Sequence, residues 1–158
     1  MSLAATEKQV RDAVVDIVGI AATGRVWNRV RIATNDAQYK DWYVDADGNA
    51  NVWFIRRVGL QLERDGFANI ISENHIYEMR LFRAIADSET DSEASENLFQ
   101  LEVETVRAAL TVNKHLGLGN GVNHTGLEII NPIPTVAELG AYAGHMAVCQ
   151  LVVNIAEC

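Results

Sequence analysis

Apolar residues recur at helical spacing over residues 6–20, where Val10, Val14, Ile17 and Val18 line one side while Lys8, Arg11, Asp12 and Asp16 project elsewhere. This pattern predicts an amphipathic helix with Thr6 as its N-cap and Gly24 closing the turn beyond it. The period then changes to two: Val26, Asn28, Val30 and Ile32 alternate with Trp27, Arg29 and Arg31, predicting a strand with one arginine-bearing face. Tyr39 to Val44 and Val52 to Val58 are rich in aromatic and β-branched residues. They flank Asp45-Ala-Asp-Gly-Asn-Ala-Asn51, whose Asp-Gly-Asn centre tolerates positive φ, and the three segments predict a hairpin.

Arg64-Asp65-Gly66 opens a stretch without clear periodicity. His75 to Arg83 then shows the clearest alternation of the chain, with Tyr77, Met79 and Leu81 opposite Glu78 and Arg80. Thr90 and Glu93 have capping-box spacing ahead of Phe99, Val103, Val106 and Leu110, which predict a second helix ending near His115, where Gly117, Gly119 and Gly121 stop it. Leu127 to Ile130 predicts a short strand, Asn131-Pro-Ile-Pro134 a break, and Gly144 to Ile155 a long strand with Cys149, Leu151, Val153 and Ile155 on one face. Because the connections are too short for βαβ crossovers, the order predicts a single α+β domain over residues 1–158: a mostly antiparallel sheet with two principal helices packed on one face.

Composition narrows the function classes. The chain has 158 residues, 49% of them hydrophobic, enough for one core without a disulfide framework or a structural metal. Thirteen basic against 21 acidic residues give a net charge of −8, which argues against general binding to nucleic acid or to an anionic membrane. Leu139 to Ala156 is uncharged over 18 residues, yet Gly140, Gly144, His145, Gln150 and Asn154 interrupt it and no basic residue flanks it, so a buried strand is expected rather than a membrane span. No signal peptide is expected at Met1, and Cys149 and Cys158 fit reduced, intracellular thiols. Between Asp87 and Glu104 there are seven acids and no base, read either as a solvated helix face or as a docking surface for a basic partner.

Candidate chemistry is sparse. Asp45, Asp47, Asn49 and Asn51 imitate a calcium loop, but Gly48 is in the fourth place and Arg56 stands where a bidentate Glu belongs. Gly117-Leu-Gly-Asn-Gly121 follows a helix instead of preceding one, so no helix N-terminus faces it to hold a phosphate. His145 and Cys149 would lie about 13 Å apart along one strand, too far for a nucleophile and its base, and Cys149 is expected as a small buried hydrophobe. His75, His115, His124 and His145 lack zinc-ligand spacing, and no nucleophile elbow occurs. No cofactor, metal or catalytic residue is therefore expected. Arg29 and Arg31 beside Trp27, and Arg56 and Arg57 beside Trp53, form either a basic-aromatic patch or arginine stems laid over indole rings.

Glu7-Lys-Gln-Val-Arg-Asp-Ala-Val-Val followed by Gly24-Arg-Val-Trp-Asn-Arg-Val-Arg31 resembles the helix and V-x-x-R-V opening of phage tail terminator or tail completion proteins. The strand His75 to Arg83, the helix Glu96 to Leu110, Leu116-Gly117 and the strand Gly144 to Val153 follow in the same order. The resemblance implies a structural protein, not an enzyme, that assembles as a homo-oligomeric ring, typically hexameric, on a phage tail tube. Its partners would be the tail tube protein and head connector proteins, with no membrane and no specific nucleic acid. It would act in the host cytoplasm during assembly and then in the virion tail. On this reading the arginine-bearing strand over 26–32 meets the acidic segment 87–104 of a neighbouring subunit, and Arg29, Arg31, Arg56, Arg57, Glu93 and Glu96 are the candidate residues of the subunit or partner interface. A small ligand- or protein-binding α+β module is the alternative, and an unrecognised enzyme the third.

Overall fold

The computed structural model describes residues 3–46, 48–66, 69–84, 92–131, 136–139 and 142–157, without the side chains of 92–94, 136–139 and 142. The first helix, α1 (Glu7–Ala21), begins at Thr6 with a capping box closed by Gln9, and it buries Val10, Val14 and Val18. β1 (Arg25–Trp27) follows, then α2 (Asp36–Tyr43), β2 (Asn51–Arg64) and β3 (Ile70–Ala84). After α3 (Ser92–Val112) come β4 (Val122–His124), β5 (Glu128–Ile129), β6 (Val136–Leu139) and β7 (Tyr142–Ala156). The sheet runs β1-β2-β3-β7-β4, and β5 and β6 also pair with β7.

The fold is α+β. Its sheet is mixed: β1 runs parallel to β2, and every other pairing is antiparallel. Trp53, Ile55, Tyr77, Met79, Leu81, Cys149, Leu151 and Val153 form one face and pack with Val14 and Val18 of α1 and Phe99, Val103, Val106 and Leu110 of α3. The alternation read from β3 and β7 thus marks the buried face, and α1 and α3 cover it. On the opposite face, Tyr39 and Tyr43 of α2 close over Val52, Phe54 and Phe82. Tyr43 meets Tyr39 and Phe54 edge-on, with ring centroids 4.9 and 5.7 Å apart.

Several expectations are corrected. Residues 39–44 are mainly helix rather than strand, because Asn35 caps the backbone N–H of Gln38, Asp36 favours the first turn, and Tyr39 and Tyr43, four apart, share the buried side. The predicted turn does form, with Gly48 at φ +83° and Val44 bridged to Ala50, but it joins a helix to β2. The strand expected over 26–32 ends at Trp27. There the Trp27 indole N–H donates to the Trp42 carbonyl, and the Tyr43 hydroxyl donates to the Arg31 carbonyl, so the chain leaves the sheet to clasp α2. The β1–α2–β2 connection is consequently a crossover, contrary to the expectation of hairpin-like connections alone, and α2 is a third helix on the second face. The second helix stops at Val112, three residues early, where Asn113 bonds back to the Leu110 and Ala109 carbonyls. The Thr90–Glu93 capping box and the prolines of Asn131–Pro134 lie outside the described residues.

Candidate functional site

Among the described residues, Glu102 is a densely hydrogen-bonded buried group. It stands three residues after Phe99 and four before Val106, so the helical period turns its carboxylate inward with the apolar face of α3. Oε1 accepts from the Thr23 backbone N–H at 3.2 Å and the Trp53 indole at 3.3 Å. Oε2 accepts from the Thr23 hydroxyl at 3.0 Å, the Asn51 amide at 3.0 Å and Arg83 Nη1 at 2.8 Å. With five donors converging on one carboxylate, no lone pair is left to act as a base. The group ties α3 to the loop after α1 and to β2 and β3. It floors a cleft of about 220 Å³ whose walls include Thr23, Asp45, Asn49, Leu98, Leu101 and Thr105.

The arginines singled out in the sequence disperse. Arg31 lies between two indoles, its guanidinium carbon 4.3 Å from the Trp27 ring centre and 3.9 Å from that of Trp42. Arg29 is exposed just past the end of β1. Arg56 reaches Glu78 at 3.0 Å, and Arg80 reaches the same carboxylate at 2.7 Å. Arg57 instead approaches buried His75, with Nη1 3.4 Å from Nδ1, while His75 Nε2 lies 2.8 Å from Glu73. Arg56 and Arg57 therefore serve opposite faces of the sheet. Neither covers Trp53, which is fully buried and bound to Glu102, so the arginine–indole reading holds at Trp27 and not at Trp53. Glu96 accepts from the Gln100 side chain at 3.1 Å, and the side chain of Glu93 lies outside the described residues.

Among the described residues, three exposed regions bear on assembly. On one flank, α1 and β1 bound an open groove lined by Val15, Asp16, Gly19, Ile20, Arg25 and Trp27, with Ile20 88% exposed and Arg29 and Ile32 nearby in the chain. On the other flank, Gln100, Val103 and Glu104 of α3 and Ile129 of β5 line a second groove, beside exposed Glu128 and Ile130. The third region is the outer edge of β2, because β1 pairs only with residues 52–54, and among the described residues no strand pairs with 56–63 on the side away from β3. Val58, Leu60 and Leu62 are 49%, 45% and 39% exposed along it.

Burial pushes the Cys149 thiol up to about 12. The Tyr77 phenol is likewise raised, first by burial and then by the Glu7 carboxylate, to which it donates at 3.1 Å. Both groups are neutral at physiological pH, so neither is an activated nucleophile there. Among the described residues no group of three or more His, Cys, Asp or Glu is placed to hold a metal ion, and no helix is long and apolar enough to cross a membrane. No protein-family model and no curated protein matches the chain.

Proposed function

We propose that the protein is a structural subunit that closes head to tail into a ring, of the kind that caps a phage tail tube and presents a surface to the head connector. The observation that carries this reading is the difference between the two flanks. The α1–β1 flank offers Ile20 and Ile32 with Arg25 and Arg29, and the α3–β5 flank offers Ile129 and Ile130 with Glu96, Glu104 and Glu128. Two unlike, complementary patches on opposite sides of one subunit make a heterologous contact, which closes into a ring when the rotation per subunit permits. Opposite charges at the rim set partner orientation and association rate. The resemblance in element order supplies the tail tube and connector as partners, with assembly in the host cytoplasm before incorporation into the virion.

Light scattering across a concentration series tests the reading. A species of several subunits is expected at high concentration, with Arg29→Glu shifting the mass toward monomer and Arg29→Glu with Glu104→Arg restoring it. A strict monomer that no concentration changes, or an oligomer indifferent to both variants, overturns it. Arg31 is unsuited to this test because its charge holds the Trp27–Trp42 clasp.

A further inference from the structure

Between α3 and β4 the chain turns sharply, and Asn120-Gly121 stands at the tip of that turn with Asn120 exposed. Leu116, Gly117 and Gly119 take positive φ. Buried Leu116 anchors the near end and buried Val122 the far end, the Val122 N–H donating to the Gly119 carbonyl at 3.1 Å. Of the twelve asparagines in the chain, only Asn120 precedes a glycine. An asparagine amide is open to attack by the backbone nitrogen of the next residue, and a following glycine leaves that approach unscreened because it carries no Cβ. Neither reacting group is engaged elsewhere: among the described residues the Asn120 side chain and the Gly121 N–H make no hydrogen bond. Asp65-Gly66 has the same order of a short carbonyl side chain before glycine, but both oxygens of Asp65 accept from Asn69.

We propose that Asn120 is a self-modification site, converting through a cyclic imide with Gly121 into aspartate and isoaspartate while the chain is folded. Base removes the Gly121 amide proton, the nitrogen bonds to Asn120 Cγ, and the Cγ–Nδ2 bond breaks, ammonia leaving with a proton. Water then opens the ring. Cleavage at Cγ gives an aspartate side chain; cleavage at the backbone carbonyl carbon of residue 120 leaves the main chain running through Cβ and Cγ. One water is consumed and one ammonia released, with no oxidant or reductant. Either product places a new carboxylate in the turn, and isoaspartate also lengthens the chain by one carbon just before Gly121. That spot has no slack: a Cβ on Gly121 would sit 2.4 Å from the Ala4 Cβ, and the Gly121 carbonyl accepts the Ala156 N–H at 2.8 Å. The Ala156 carbonyl in turn accepts the Ala4 N–H at 2.9 Å, and Leu3 bridges to Glu157. Isoaspartate at 120 therefore loosens the N-terminal strap, residues 3–5, from the end of β7, a change set by elapsed time and pH. It engages neither flank used for ring closure and does not rest on that reading.

Incubation of the folded chain in mildly alkaline buffer, followed by tandem mass spectrometry of the tryptic peptide after Lys114, tests the site. Residue 120 is expected to lose its amide ahead of every other asparagine, with a gain of about 1 Da, and the product should accept methyl groups from an isoaspartyl methyltransferase. Asn120→Ser should abolish the gain. Gly121→Ala with Ala4→Gly, which returns the space the new methyl takes, should slow the conversion about tenfold with circular dichroism unchanged. In the isoaspartate form the Ala4 N–H should exchange with deuterium faster than in the parent chain, and unchanged exchange there refutes the loosening of the strap. Asn120 intact in the folded chain over a period in which the denatured chain converts, aspartate without isoaspartate, or equal rates in the parent and the double variant overturns the inference.

Discussion

A carboxylate taken out of water is destabilising by several kcal/mol unless its lone pairs are filled, and at Glu102 the Thr23, Asn51, Trp53 and Arg83 donors fill them. Removing the carboxylate strands a guanidinium that is only 16% exposed. Glu102→Ala should therefore lower stability by about 3–5 kcal/mol, read as a fall in the denaturant midpoint. Arg83→Met with Glu102→Leu, which removes both charges, should lose less than the single variant; equal midpoints for Glu102→Ala and the parent chain would refute the role. The position was readable in the sequence, since its spacing from Phe99 and Val106 puts it on the apolar side of α3, yet within the acidic run 87–104 it looked like one more solvated charge. Which donors would reach it was not readable, because Thr23 and Asn51 come within bonding distance only after the sheet has formed.

Elements whose apolar residues face one continuous core were legible: α1 from Val10, Val14 and Val18, α3 from Phe99 to Leu110, and β3 and β7 from their alternation. α2 and β1 were not, because their short segments take their conformation from each other. The aromatic run Tyr39 to Tyr43 suits a strand by propensity and becomes a helix through the Asn35 cap and the Arg31–Trp42 stack. The candidate assembly residues were legible only as types, since β1 ends before Arg29 and a shift of phase in β2 decides which face each later side chain takes. Between α1 and β1 the chain passes so close to β2 that a Cβ on Gly24 would sit 2.2 Å from the Asn51 carbonyl oxygen. Gly24→Ala is expected to cost about 1–3 kcal/mol, measured by thermal unfolding, whereas Gly19→Ala, with open space around it, should not destabilise the chain. Equal melting temperatures would show that the approach is looser than described.

At the scale of the whole molecule, α1, α3 and both faces of strand pairing converge on β3, which is hydrogen-bonded to β2 on one side and to β7 on the other. Tyr77 and Cys149 belong to the same core, so their titration reports on the fold as a unit. Each is an acid whose pKa is higher folded than unfolded, so the folded state holds the proton more tightly. Their contribution is complete below the ordinary thiol value of 9.0 and declines as pH rises toward about 12 for Cys149. Denaturant midpoints should therefore fall through that alkaline window, less steeply in Cys149→Ala, and a flat profile would contradict the burial of both groups. The three tryptophans divide between the two sides of the same sheet: Trp27 and Trp42 enclose Arg31 in the clasp with α2, and Trp53 lies in the core bound to Glu102. Indole emission follows the local field and wetness, so a chain keeping only Trp53 glows with the state of the core, and one keeping only Trp27 and Trp42 with that of the clasp. Built into the chain is a two-channel optical readout, one channel for each side of the sheet.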